Sequence, residues 1–186
     1  MQRSKIACDL DHELSQGPYV LCICEGTAEE AIMDLLLDND MLQFSRSQLI
    51  NNHKVTRIRK VRDIETHFLN IDYSDCGLII LRILDSKREN FLLRKQYSCY
   101  KVFNIYTRPE IEMLHIIAED RVSDFQKSSL KPSEYFKGIS KANTVKRASF
   151  IREYYADPDR LLQVILQYHH LYGQKDELNL SHLLKK

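Results

Sequence analysis

The chain has 186 residues, 44% of them apolar, with 27 Lys plus Arg against 26 Asp plus Glu and a formal net charge of +1. That length suits one domain with a substantial core, and the near-neutral balance excludes a polycation, so any site for a polyanion must be local. The longest apolar runs fall far short of the ~20 residues that cross a bilayer, and the amino terminus, MQRSKIACDLDHEL, has no apolar signal-peptide core, which predicts no membrane contact and a cytoplasmic location.

Residues 1–17 are mixed in character, end at Gly17-Pro18 and read as a lead-in. Tyr19 to Cys24 is a continuous apolar run between turn signals, as expected for a strand buried on both faces in an α/β fold. From Thr27, a candidate cap, Ala28, Ile32, Leu35 and Leu36 recur at helical spacing. His53 to Val61 alternates branched and basic residues and predicts a half-buried or edge strand. Arg62 to Asn70 reads as a short helix with Ile64 and Phe68 inward. Gly77 to Leu84 and Lys101 to Tyr106 predict two more strands, and Pro109 is placed to open a helix through Ile117.

Beyond Glu119 the pattern becomes helical: Val122 to Lys127, Pro132 to Gly138, Ala148 to Tyr155, and Pro158 to Tyr172 with Asp157 as cap and Gly173 as stop. A final turn is expected over Asn179 to Lys186. The division is a lead-in at 1–17, an α/β core at 18–120, and an all-helical carboxyl-terminal extension at 121–186 packed on that core. Five cysteines, at 8, 22, 24, 76 and 99, form no CxxC pair and read as buried free thiols.

Three acidic signals fall where strands end, which is where open α/β sheets build ligand sites. Glu25-Gly26-Thr27-Ala28-Glu29 closes the first buried strand, Asp85 closes the second, and Glu112 stands near the start of the helix after the third. A hard cation such as Mg2+ or Mn2+ takes oxygen ligands from carboxylates, water and substrate phosphate, so this trio of strand ends could supply one. Each acid also has an ordinary reading. Glu29 and Glu30 suit the dipole of a helix start, Asp85 could cap a helix holding Phe91 and Leu92, and Glu112 could pair with Arg108 or face solvent.

These segments carry a family resemblance. CEGTAEEAIMDLLL resembles the opening motif of Toprim domains, in particular the branch of RloB-like and OLD-type nucleases, while LIILRILDSK is similar to the strand that ends in a metal-binding aspartate. TRPEIEMLHII resembles the RloB-type segment in which proline and glutamate open a helix. The resemblance spans roughly Tyr19 to Glu119 and implies a Toprim-like (Rossmann-like), mostly parallel sheet flanked by helices. It further implies Glu25 as metal ligand or general acid/base and Asp85 as metal ligand, both catalytic, with Glu29 and Glu112 as supporting ligands of Mg2+ or Mn2+. The activity implied is nicking or cleavage of DNA or RNA, in the phage-defence and mobile-element settings associated with those proteins. One departure stands out: many Toprim sequences carry Asp-x-Asp where this chain has Asp85-Ser86-Lys87.

A nuclease also needs groups that hold phosphate. Lys54, Arg57, Arg59, Lys60 and Arg62 lie between His53 and Arg62 with no acid among them, and Lys87 and Arg88 follow Asp85. Lys54, Arg57, Arg59, Lys60, Lys87 and Arg88 are the candidate nucleic-acid contacts, although a charge run also serves as a plain solvated face. Lys131, Lys137, Lys141, Lys146 and Arg147 form a third, weaker group. His169-His170 lacks the spacing of a zinc-protease motif, and no GxxxxGK or GxGxxG is present, which sets aside NTPases and dinucleotide-dependent oxidoreductases. The competing expectation is a catalytically degenerate Toprim-like subunit that binds nucleic acid or protein beside a partner effector or ATPase. Substrate specificity and oligomeric state have no signature in the sequence.

Overall fold

Three parallel strands, in the order β1-β2-β3, form the centre of the molecule: β1 (Tyr19–Cys24), β2 (Leu78–Leu84) and β3 (Lys101–Tyr106). The computed structural model describes residues 4–73, 77–87, 90–140 and 147–186, so Cys76, Arg88, Lys141 and Lys146 lie outside the described residues. Eight helices are described: α1 (Lys5–Ser15), α2 (Thr27–Asp38), α3 (Val61–Phe68), α4 (Met113–Ala118), α5 (Val122–Lys127), α6 (Pro132–Ser140), α7 (Ala148–Tyr154) and α8 (Pro158–Tyr172). The fold is thus α/β, with a parallel sheet flanked by helices and a run of helices toward the carboxyl terminus, as expected from the sequence. No helix among the described residues is long and apolar enough to cross a membrane.

Strand alternation sends neighbouring side chains to opposite faces and creates two cores. Val20, Cys22 and Cys24 of β1, Ile79, Leu81 and Ile83 of β2, and Phe103 and Ile105 of β3 pack with α1, α2, α4, α6, α7 and α8. Leu21, Ile23, Leu78 and Ile80 pack on the other face against Ile64 and Phe68 of α3 and Tyr97. Every residue of the central strand β2 is buried. Both outer edges carry single-residue bridges: Leu49 and Thr56 lie against β1, Thr56 exchanging hydrogen bonds of 2.8 and 2.9 Å with it, and Leu178 accepts from Tyr106 N at 2.8 Å beside β3. Each bridge takes up part of the row of open N–H and C=O groups that an edge would otherwise offer to another chain.

The structure departs from the sequence-based expectation at several elements. The 1–17 lead-in contains α1, whose Ala7, Leu10 and Leu14 enter the larger core. The edge strand expected over 53–61 is reduced to the bridge at Thr56. A turn with positive φ at Asn52 (48°) and His53 (61°) delivers the chain late, and Val55 and Thr56 are both buried, which breaks period-two alternation. The helix expected from Pro109 begins at Met113, because Met113, Leu114 and His115 donate to the carbonyls three residues back and wind a tighter turn first. Residues 90–94 are not helical, so Asp85 caps no helix there. Among the described thiols, Cys22 and Cys24 are buried as expected, whereas Cys8 and Cys99 are exposed.

Candidate functional site

Register sets the geometry. Cys24 lies beside Ile83 and Leu84 beside Tyr106, so the three strands end nearly level and Glu25, Asp85 and Thr107 leave the sheet side by side. The Glu25 carboxylate ties two of these ends together: its Oε2 accepts from the Asp85 backbone N–H at 3.0 Å, and its Oε1 pairs with Arg59 Nη1 at 2.9 Å. Gly26 follows in an extended conformation, φ −140° and ψ −177°, which any residue adopts. What glycine gives here is space, since an added Cβ would stand 2.9 Å from Glu29 Oε2 and displace that carboxylate. Glu29 therefore folds back over the strand-helix turn. Thr27 does not cap α2, as Gly26 occupies the N-cap position; its hydroxyl accepts from Arg57 Nη1 at 2.8 Å.

All four acids of the sequence pattern share one electrostatic field. Burial pushes the Glu29 carboxyl up to about 7 against the lowering effect of a backbone hydrogen bond, and the charges of Glu112, Asp85 and Glu25 raise it further. Glu29 is 6% exposed, and Glu112, the residue before α4, is 1% exposed. The other acids of the run from Glu25 to Asp40 each have a cation: Glu25 with Arg59, Glu30 with Arg57, Asp34 with Arg46 and Arg152, Asp38 with Arg46, and Asp40 with Lys185. Glu29 makes no ion pair with any described residue. A buried carboxylate among like charges is stabilised by a cation or by a proton. The donor set is all carboxylate oxygen, which fits Mg2+ or Mn2+. In the present side-chain arrangement, no three His, Cys, Asp or Glu among the described residues converge to hold a metal.

The basic candidates gather nearby, partly engaged. Arg57 Nε pairs with Glu30 at 3.2 Å, Lys54 is exposed in the turn, and Lys60 is the exposed N-cap residue of α3. Arg57, Arg59 and Lys60 line a cleft of about 550 Å³ together with Asp63, Arg82, Asn90 and Phe91. Arg82 escaped the sequence reading. It is 2% exposed, donates to Asn104 Oδ1 at 3.1 Å and lies 4.2 Å from the centre of the Phe91 ring. Its signal was a lone cation in phase with Leu78 and Ile80 along an otherwise apolar strand.

A second cleft, of about 510 Å³, opens beside Asp85 and is lined by Lys87, Tyr106, Arg108, Tyr168 and Glu177. Lys87 Nζ and Arg108 Nη2 both grip the Glu177 carboxylate, one on each oxygen. Burial raises the Glu177 carboxyl, but hydrogen bonds from Lys87 and Arg108 outweigh it and hold the group below its ordinary value. Arg108 thus pairs with Glu177; the sequence offers Arg108 only as a candidate partner of Glu112, and Glu177 has no motif to mark it. Comparison of the chain with protein-family models, with curated proteins and with solved structures finds no match.

Proposed function

We propose that this protein is a Mg2+- or Mn2+-dependent nuclease that cleaves or nicks DNA or RNA, acting in the cytoplasm in a phage-defence or mobile-element setting. The observation that carries the reading is Glu29, a buried carboxylate set among Glu25, Asp85 and Glu112 with no ion pair to any described residue. Glu25, Asp85, Glu29 and Glu112 would hold the cation, which supplies neutralisation of the charge that builds on a phosphodiester as it is attacked. Glu25 exchanges Arg59 for that role. Once released, Arg59 joins Arg57, Lys54 and Lys60 as a contact to the nucleic-acid backbone, which such residues bind without reading sequence.

Calorimetric titration with MnCl2 or MgCl2, paired with cleavage of supercoiled DNA and labelled RNA, tests this. Wild type binds the metal and cuts; Glu25→Gln and Asp85→Asn melt as wild type does but lose cleavage by at least ~10²-fold. Full activity in both variants overturns the assignment.

The Arg59–Glu25 pair, together with Lys87 where many Toprim sequences have a second aspartate, favours a second reading: a catalytically degenerate subunit that binds nucleic acid or protein beside an effector or ATPase. Salt-sensitive nucleic-acid binding without metal binding or cleavage would select it.

A further inference from the structure

The geometry points to a phosphate-class oxyanion site formed by Lys87 and Arg108 beside Tyr106, which the chain's own Glu177 occupies as a tethered stand-in for the ligand. Two cations converge on one carboxylate there: Lys87 Nζ binds Oε1 and Arg108 Nη2 binds Oε2. The Tyr106 ring organises both, with its centre 5.6 Å from Lys87 Nζ and 5.3 Å from the Arg108 guanidinium carbon. Tyr168 donates its hydroxyl proton to the Arg108 carbonyl and anchors that backbone.

The fit to a carboxylate is incomplete. Arg108 Nε is buried with no hydrogen-bond partner among the described residues. A buried donor left without an acceptor is destabilising. Glu177 has two oxygens, and each is already engaged by a different cation. A phosphate brings more oxygens and the geometry that guanidinium groups bind through parallel N–H bonds, so it can accept from Nε and Nη2 while another oxygen meets Lys87.

The occupant can also leave. Glu177 lies in the connection between α8 and the edge bridge at Leu178, outside any helix, while Leu178 itself is buried and hydrogen-bonded to β3. Rotation of the Glu177 side chain vacates the cations without disturbing that bridge. Because the competitor is attached, it weakens ligand binding by the fraction of time it holds the site.

Asp85 lines the same cleft. Under the nuclease reading this is where a phosphate of substrate or product sits, but oxyanion binding itself requires neither a metal nor cleavage. The ligand is either a free phosphate or the terminal phosphate of a nucleic-acid strand.

The test titrates inorganic phosphate, without divalent metal, into wild type, Glu177→Gln and Glu177→Gln/Arg108→Gln, with binding followed by calorimetry and folding by circular dichroism. Glu177→Gln is expected to bind phosphate about tenfold more tightly than wild type, and the added Arg108→Gln to abolish the gain. Should the double variant not fold, Glu177→Gln/Lys87→Gln takes its place, since Lys87 is half-exposed and, among the described residues, pairs with the same carboxylate and ring. A parallel arm compares a short 5′-phosphorylated oligonucleotide with its unphosphorylated form. A gain for the phosphorylated strand identifies a strand terminus as ligand, and a gain for inorganic phosphate alone identifies a free phosphate. No gain in either arm, or a gain that survives loss of Arg108 or Lys87, overturns the site. Because no metal is present, failure here leaves the carboxylate assignment standing, and failure of Glu25→Gln to affect cleavage leaves this site standing.

Discussion

Gly26 shows how a glycine can matter for the space it leaves and not for backbone freedom. Its dihedrals suit any amino acid, yet a methyl group there would press on the Glu29 carboxylate. Gly26→Ala is expected to destabilise the protein by about 0.5–1.5 kcal/mol, the range for moving one side chain off its preferred rotamer, because the crowded atom is the far end of the Glu29 side chain. Most of that loss should vanish in a Glu29→Ala background, so a double-mutant cycle in urea measures the contact directly. His115 supplies a second residue-scale test. It stacks on Phe136 at 4.8 Å and Tyr155 at 5.2 Å, and its Nδ1 is buried without a hydrogen bond among the described residues. Burial, with help from Arg160, pushes its imidazole down to about 3. The folded state therefore refuses a proton that the unfolded chain accepts near its ordinary ~6.5. Stability is unaffected above that value and falls as the pH drops from there towards 3. At pH 4.5 the loss from this group is roughly 2–3 kcal/mol. Unfolding free energies from urea melts at pH 7 and pH 4.5 should differ less for His115→Phe than for wild type by that amount.

At the scale of elements, most boundaries were legible where pattern and punctuation agree. β1 and β3 begin and end as their apolar runs do, and α8 starts at Pro158 under an Asp157 cap that accepts from Asp159 N at 3.0 Å. Prediction failed where local signals were outweighed. Alternation over 53–61 could not reveal that a turn would leave Thr56 as the one residue of that stretch bridged to β1. The carboxyl-terminal segment shows the same dependence on long-range packing. Its 3-10 turn at Leu180–Leu183 is only four residues long, yet Leu178, Leu180, Leu183 and Leu184 all lie in the larger core, where Gln43 N donates to Leu183 O at 2.8 Å. Leu183→Ala is accordingly expected to lower stability by about 2–5 kcal/mol, as for any buried leucine, measured by chemical denaturation. A loss under 1 kcal/mol would mean that this turn is peripheral to the core.

For the whole molecule, charge segregated along the chain becomes charge interleaved in space. Six acids between Glu25 and Asp40 meet no base in sequence, and five bases between His53 and Arg62 meet no acid. Folding brings Arg57 and Arg59 from the second run onto Glu30 and Glu25 of the first, so the rim expected to wait for phosphate is partly turned onto the acids. The amino-acid sequence by itself determined the class of fold, the three strands of the sheet and the placement of Glu25 and Asp85 at the carboxyl ends of the first two. Those properties follow from hydrophobic period and turn chemistry, which act over a few residues. Tertiary structure alone decided that Glu29 is left without an ion pair among the described residues, that Arg82 is buried beneath Phe91, and that Lys87 and Arg108 close on Glu177. Such pairings join residues from nine positions apart, Arg82 and Phe91, to 90 apart, Lys87 and Glu177, and no local pattern encodes them because their energies depend on burial and distance, which exist only once the chain has packed.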